Sequence, residues 1–187
     1  MSDCGVHSPA VTDLPRLETD RLALRPFDVR DWVGLQRAYG DPDVMRWHGL
    51  TDPLPVDETA FAVGRMAGQF TARGYGMFAI VERETDEIVG RVGIMVHDDW
   101  TGGPDRHEIG WTLQRDRWGR GYATEGGRAV LDWIWGMVEV PRIISITNLE
   151  NVRSQRVMEK LGLTRRGFAR WHDHDVVWYA IERPSSG

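Results

Sequence analysis

"EIGWTLQRDRWGRGYATEGGRAVLDW" occupies Glu108–Trp133. Its opening residues, from about His107 to Leu113, read as a strand. In Trp118–Gly127 three small residues, Gly119, Gly121 and Ala123, alternate with bulky ones, and a long apolar segment follows. Glycine loses much conformational freedom on folding, so such a cluster marks an unusual backbone path or a ligand close to the backbone. A helix is expected from about Thr124 to Val138. The β-branched stretch "RIISITN", Arg142–Asn148, is expected as the next strand. Strand, turn, helix and strand in that order form a parallel crossover.

A glycine-rich turn before a helix collects backbone N–H groups that have no partner inside the helix. The helix dipole adds positive potential there, which makes the turn a candidate phosphate site. Without Cβ atoms at Gly119 and Gly121, phosphate oxygens can approach the backbone. Arg117 and Arg120 add charge. The alternative is a tight connection that simply needs positive φ. No Lys-Ser or Lys-Thr follows, so the turn is not a nucleotide-hydrolase P-loop. It lacks a third glycine and follows strands that read as antiparallel, so it is not a dinucleotide fingerprint.

Working outward, "LETDRLALRPF" (Leu17–Phe27) reads as one strand, with Leu22, Leu24 and Pro26 on one face and Arg21, Ala23 and Arg25 on the other. "DVRDWVGLQRAYG" reads as a helix capped by Asp28 and stopped by Gly40. "DPDVMRWHGLTDPLP" is a proline-broken connection. A second helix fits Val56–Gly74, with Phe61, Val63, Met66 and Phe70 near one face. Met77–Arg83 and Ile88–Val96 flank a polar turn at Glu84–Glu87 and read as a β-hairpin. Beyond the crossover, "NVRSQRVMEKLGL" is a helix ended by Gly162, and "DVVWYAIER" is a last strand. The order β α α β β β α β α β belongs to an α+β, mixed α/β protein.

The 187 residues fit one domain, expected over 16–184 after a flexible tail at 1–15. The chain is 41% hydrophobic and 27% charged, an ordinary globular composition. Its net charge of −5 argues against a nucleic-acid partner. The single cysteine, Cys4, excludes an internal disulfide and a cysteine metal cluster and suits a reducing compartment. It lies in a polar N-terminal stretch and reads as incidental, not as a nucleophile. Neither a membrane span nor a signal peptide is apparent, so the cytoplasm is the expected location.

The segment Glu108–Trp133 resembles the acetyl-CoA-binding core of the GNAT N-acetyltransferases. "LETDRLALRPF" and "DPDVMRW" resemble the N-terminal half of the branch related to the RimJ/RimL ribosomal-protein N-terminal acetyltransferases. "NLENVRSQRVMEKLGLTRRGF" resembles that branch's C-terminal core, an Asn-x-x-Ser helix ending in Leu-Gly-Leu. The resemblance spans about Leu17 to Glu182. One departure is visible: the family's loop begins with Gln or Arg, where this chain has Trp118, with Gly121 fourth and Ala123 sixth. The resemblance implies a GNAT fold: a central, mostly antiparallel twisted sheet, splayed at its middle strands and flanked by helices. It implies acetyl-CoA as cosubstrate and no metal. Trp111, Thr112 and Leu113 are then expected to offer backbone groups to the pantetheine arm. The amides of Gly119, Arg120, Gly121, Tyr122, Ala123 and Thr124 would hold the pyrophosphate, and Asn151 would hydrogen-bond the cofactor.

Acetyl transfer to an amine needs the amine deprotonated, the thioester carbonyl polarised and the thiolate released. The family usually works by direct attack. Glu108 is the candidate general base, because a carboxylate in a partly desolvated cleft can have its pKa raised. The alternative is a structural glutamate tying neighbouring elements. His107 is a rival that alternation points to the opposite face. Ser154, three residues after Asn151, is a candidate acid or a positioner near the leaving sulfur, or else a first-turn serine bonding the backbone. Asn151 is alternatively only an N-cap. His172 and His174 belong to a solvated loop or the substrate rim. Most of the nine tryptophans are expected in the core; among Trp32, Trp47, Trp100 and Trp171 some line the acceptor pocket. An exposed patch of loop tryptophans would support a homodimer. The expected partners are acetyl-CoA and an amine acceptor, either a protein N-terminus or a small molecule, with no nucleic acid and no membrane. The alternative function is a non-catalytic acyl-CoA-binding or regulatory module.

Overall fold

The computed structural model describes residues 14–50 and 52–185. Cys4 and nearly all of the expected tail lie outside the described residues. Eight strands form one sheet: β1 (Leu17–Glu18), β2 (Leu22–Pro26), β3 (Met77–Glu82), β4 (Glu87–Val96), β5 (His107–Leu113), β6 (Arg142–Asn148), β7 (Thr164–Trp171) and β8 (His174–Glu182). The spatial order is β1-β2-β3-β4-β5-β6-β8-β7. Five α-helices accompany it: α1 (Trp32–Tyr39), α2 (Pro42–Met45), α3 (Val56–Arg73), α4 (Tyr122–Ile134) and α5 (Val152–Lys160).

All neighbouring strands are antiparallel except β5 and β6, which are joined by α4 in the expected crossover. Those two share a single registered pair, Glu108 with Ile144. Beyond it both strands run on, to Leu113 and Asn148, without pairing. Side chains take over some of the backbone groups that this fork leaves without ladder partners. Ser145 Oγ donates to the Ile109 carbonyl at 2.8 Å, and the Ile146 N–H donates to Glu108 Oε1 at 3.0 Å.

Two cores sandwich the sheet. Under α4 and α5 lie Leu22, Leu24, Phe78, Val92 and Ile109, packed on Val130, Ile134 and Met158. Tyr122, Gly126, Val130 and Ile134 recur every four residues along α4, which is why that face is buried. Gly127 has no room for a side chain, since a Cβ would lie 2.8 Å from Leu161 Cδ1 on the turn that ends α5. The opposite face packs Phe27, Leu35, Met45, Val63, Met66 and Met77 beneath α1–α3. A smaller cluster packs Trp100 on Trp178 and Trp171.

Several boundaries differ from the expectations. The first strand is a short hairpin, β1 and β2, and both faces of β2 are covered, so Ala23 is buried with Leu22 and Leu24. The proline-broken connection contains α2, started by Pro42 at its first turn and capped by Asp41. Helix α4 begins two residues earlier than expected and ends at Ile134. A whole strand, β7, precedes the last one. "RWHDHDVVW" therefore spans the tight turn of the β7–β8 hairpin, with His172 and Asp173 at its tip and at positive φ. No tryptophan is among the exposed large hydrophobics; Trp47 and Trp171 are half-buried.

Candidate active site

The glycine turn is rigidly held from below. Gln114, at the end of β5, donates to the carbonyls of Gly34 and Ile88 at 3.1 and 2.8 Å. Trp118 Nε1 donates to the Leu113 carbonyl at 3.0 Å. Arg21 donates to the Arg120 carbonyl at 2.9 Å and to Glu125 Oε2 at 2.8 Å, and Thr19 donates to Glu125 Oε1 at 2.6 Å. Burial pushes the Glu125 carboxyl up, but the bonds from Thr19 and Arg21 outweigh it and hold the pKa below its ordinary value. Gly119 and Gly121 sit at φ +76 and +87. Gly121 is the N-cap of α4, and no side chain caps that helix. Its first N–H groups therefore remain available to an external acceptor.

These amides open onto a cleft of about 730 Å³. Its lining includes six cationic side chains, Arg46, Arg115, Arg117, Arg153, Arg156 and Lys160, against the one carboxylate of Asp43. Arg46 and Arg115 pair with Asp43, so the positive charge that fits a polyanion comes from Arg153, Arg156 and Lys160 on α5. A bound polyphosphate ester would find uncapped amides at the turn, no Cβ on Gly119 to block it, and cations at the rim.

A second pocket, about 290 Å³, lies at the fork and is lined from β4, β5, β6 and the β7–β8 turn. Trp47, His48, Trp111, Asn151 and Ser154 line both spaces, so the two meet there. In the smaller one Glu108 is 5% exposed. Its Oε1 takes the Ile146 N–H, and its Oε2 lies 2.5 Å from His97 Nε2. Burial lowers the His97 pKa, but bonding and charge from Glu108 outweigh this and leave it above the ordinary 6.5. Glu108 engages Nε2, which leaves Nδ1 as the other ring nitrogen. At the junction Asn151 caps α5: its Oδ1 accepts from the Ser154 N–H at 3.2 Å. Its Nδ2 donates to Thr147 Oγ1 at 3.0 Å and to Ser154 Oγ at 3.1 Å. With Oγ accepting from Asn151, the Ser154 O–H proton is free to point elsewhere.

Residues 21–164 match the family described as "Acetyltransferase (GNAT) domain". The chain belongs to the GNAT acetyltransferase family. It is similar to a Bacillus licheniformis protein described as "Uncharacterized N-acetyltransferase p20", 29% identical over 155 residues, 82% of this chain and 85% of that one. Among solved structures it is similar to a GNAT-family acetyltransferase from Bacillus anthracis, with TM-score 0.75 at 26% identity, covering 90% of this chain and 99% of that one. The ribosomal-protein-S5-alanine acetyltransferase from Vibrio fischeri has TM-score 0.71 at 16% identity over 91% of this chain and 98% of its own, a likeness of fold alone. The protein is an acetyl-CoA-dependent N-acetyltransferase with a GNAT fold.

For a GNAT enzyme the larger cleft is the candidate place for acetyl-CoA. Trp111, Thr112, Leu113, Arg117, Gly119, Gly121, Tyr122, Ala123, Thr124, Asn151 and Ser154 all line it. Arg120 does not; its guanidinium instead lies 3.8 Å from Glu82. Arg117 reaches the cleft with its guanidinium already paired to Glu82, Glu87 and Asp116 at 3.3, 3.4 and 2.6 Å, so it adds little free charge. The Tyr122 hydroxyl donates to Glu82 at 2.5 Å and points out of the site. Thr112 Oγ1 lies 3.0 Å from His48 Nε2.

His107 lies away from both pockets, bonded to the Tyr75 hydroxyl at 2.9 Å. Trp47, Trp171, His172 and His174 line the smaller pocket, whereas Trp32 packs on the second core and Trp100 is buried beneath Trp171. Among the described residues no group of three or more His, Cys, Asp or Glu is placed to hold a metal, and no helix is long and apolar enough to cross a membrane. Sequence reading did not single out His97, His48, Arg91, or the α5 row Arg153, Arg156 and Lys160. That row was visible in principle as cations three and four residues apart on one helix face.

Proposed function

We propose that the enzyme acetylates a primary amine, on a protein N-terminus or a small molecule, by direct attack assisted by the His97–Glu108 pair. The observation that carries this reading is the 2.5 Å contact between Glu108 and His97 inside the pocket that joins the cofactor cleft. The resemblance of Leu17–Phe27 and Asn148–Phe168 to the RimJ/RimL-like branch supports a primary amine as acceptor.

Acetyl-CoA supplies the thioester acyl donor. The amides of Gly119–Thr124 hold its pyrophosphate, and the edge of β5 left open beyond Glu108 offers backbone groups to the pantetheine arm. As the carbon–nitrogen bond forms and the carbon–sulfur bond breaks, the amine proton passes to His97 Nδ1. Glu108 fixes the ring's tautomer and stabilises the imidazolium. Ser154, oriented by Asn151, donates a hydrogen bond to the departing thiolate. The thiolate is finally protonated by the proton that His97 received from the amine, so that both His97 and Ser154 end as they began. A base whose pKa lies above 6.5 suits work near neutrality.

The test is thiol release with acetyl-CoA over a panel of primary amines, for wild type and His97→Gln. The variant should lose about 10²–10⁴-fold in kcat, with acetyl-CoA affinity retained. Wild-type turnover by the variant would remove His97 from the reaction.

A further inference from the structure

Five charged side chains are buried among the described residues: Asp31, Glu82, Arg91, Asp105 and Glu108. Four of them face an opposite charge: Asp31 with Arg25, Glu82 with Arg117, Asp105 with Arg142, and Glu108 with His97. Arg91 is the exception. It is 8% exposed, and among the described residues no carboxylate comes within ion-pair distance. Its Nε has no hydrogen-bond partner, and Nη1 meets only the weak acceptor Met95 Sδ at 3.8 Å. The Tyr39 ring lies 5.7 Å from its Cζ. That cation–π contact eases burial of the charge without filling the guanidinium's donors.

A buried, unpaired guanidinium is costly to hold. This one sits in the middle of β4, opposite Thr112 in register, and it lines the smaller pocket but not the acetyl-CoA cleft. Its positive charge acts on His48, which lines both spaces, and disfavours a second cation there. The smaller pocket therefore carries a fixed cation with open donors, near enough to act on His48 at the junction with the larger cleft. Planar, bidentate donors of this kind match a carboxylate.

We infer that Arg91 receives a carboxylate of the acceptor, so that the enzyme's substrates are small amines bearing a carboxylate, that is, free amino acids. The inference rests on the acetyl-transfer reading of the pocket and narrows it. The first residue of a peptide has its carboxyl tied up as an amide, so Arg91 disfavours a protein N-terminus. An acceptor carboxylate would complete the fifth buried ion pair.

The test uses matched acceptors: the common α-amino acids, and the unbranched ω-amino acids from glycine to 6-aminohexanoate, each beside its primary amide. The amide removes the charge and stands in for an N-terminal residue. Thiol release is measured with wild type, Arg91→Gln and Arg91→Lys. A thermal shift with acetyl-CoA reports whether each variant is folded. At least one acid should be preferred over its amide by about 10²-fold in kcat/KM. In Arg91→Gln that ratio should fall to within a few fold of one, chiefly through the acid's KM, and Arg91→Lys should keep part of it.

Amides used as well as acids by wild type would overturn the inference. So would an unchanged ratio in Arg91→Gln with only a lower melting temperature, which would make Arg91 a support for Tyr39. Turnover of uncharged or cationic amines with none of the acids would overturn it too. A protein that binds acetyl-CoA and releases no thiol with any amine would instead sink the acetyl-transfer reading of the pocket, and this inference with it.

Discussion

Glu108→Gln separates chemistry from structure at one residue. In the native site the carboxylate accepts twice, from the Ile146 N–H at 3.0 Å and from His97 Nε2 at 2.5 Å. His97 consequently carries its proton on Nε2 and keeps a lone pair on Nδ1. Glutamine offers one oxygen and one NH₂. The Ile146 N–H can only donate, so it claims the oxygen. The NH₂ group then faces His97 Nε2 and donates to it, which moves the ring proton to Nδ1 and removes the lone pair the amine needs. The negative charge that lifts the His97 pKa is lost as well.

General-base help is worth about 10²–10⁴-fold, or about 2.7–5.4 kcal/mol of barrier. The fold loses far less, because both hydrogen bonds survive in neutral form, a change of about 1 kcal/mol. The assay is kcat against pH at saturating acetyl-CoA on one good acceptor, with melting temperatures alongside. Wild type should lose activity on the acid side as His97 protonates, with the limb lying above 6.5. The variant should lose at least 100-fold in kcat, shift that limb to lower pH, and melt within a few degrees of wild type. A variant with an unmoved pH profile and a markedly lower melting temperature would refute the reasoning and leave Glu108 as a strand tie.

Gly121→Val should abolish acetyl-CoA binding in a thermal-shift assay, since φ of +87 is closed to a β-branched residue and its Cβ would stand at the head of α4. Retained affinity in a folded variant would deny the phosphate role of the turn. Asn151→Ala should raise the acetyl-CoA KM about fivefold if the amide also contacts cofactor. It should cost about 1 kcal/mol of stability through the lost cap of α5 in either case; an unchanged KM returns Asn151 to capping alone. His107 has its pKa lowered by desolvation and by Arg73. Its unfolded form takes a proton more readily, so stability is lost as pH falls below 6.5, and His107→Gln should flatten that loss in urea titrations. His97 acts with the opposite sign: its contribution is complete below 6.5 and is lost as pH rises through its raised folded value.

The crossover Glu108–Asn148 was legible because each part carries its own signal: a strand, a glycine turn, a helix with four-residue burial, and a β-branched strand. Strand β7 was not. "TRRGFARW" has arginines at 165, 166 and 170 and is exposed along most of its length. It pairs only with β8, at the sheet's edge. Charged edge strands discourage edge-to-edge association, and that same charge erases the alternation by which strands are recognised. The Glu108 side of the site was legible from its strand position, whereas His97 depended on register. Val96 pairs with His107 and Met95 with Glu108, so the first residue past β4 falls beside Glu108, and nothing local in "VHDD" says so. Arg91 carried an unread signal, one arginine inside the apolar run "IVGRVGIMV". Such a charge in a strand covered on both faces has to be matched by something.

The fork and the chemistry have one origin. A parallel pair that continued past Glu108 and Ile144 would use its facing N–H and C=O groups on itself and would leave no gap for a pantetheine arm. Parting the strands frees those groups, and buried backbone donors must be matched. A short side chain at 108 could not reach the Ile146 N–H across the gap, and an apolar one would leave it unsatisfied at a cost of about 1–3 kcal/mol. A carboxylate reaches, and it has a second oxygen left over. That oxygen holds His97, so in the proposed mechanism the residue that stabilises the opening also sets the proton acceptor within it. Glu108→Ala should therefore fail twice, losing stability at the fork and activity at His97. Glu108→Gln should fail only in activity, and the difference between the two variants measures how far structure and chemistry are separable at this position.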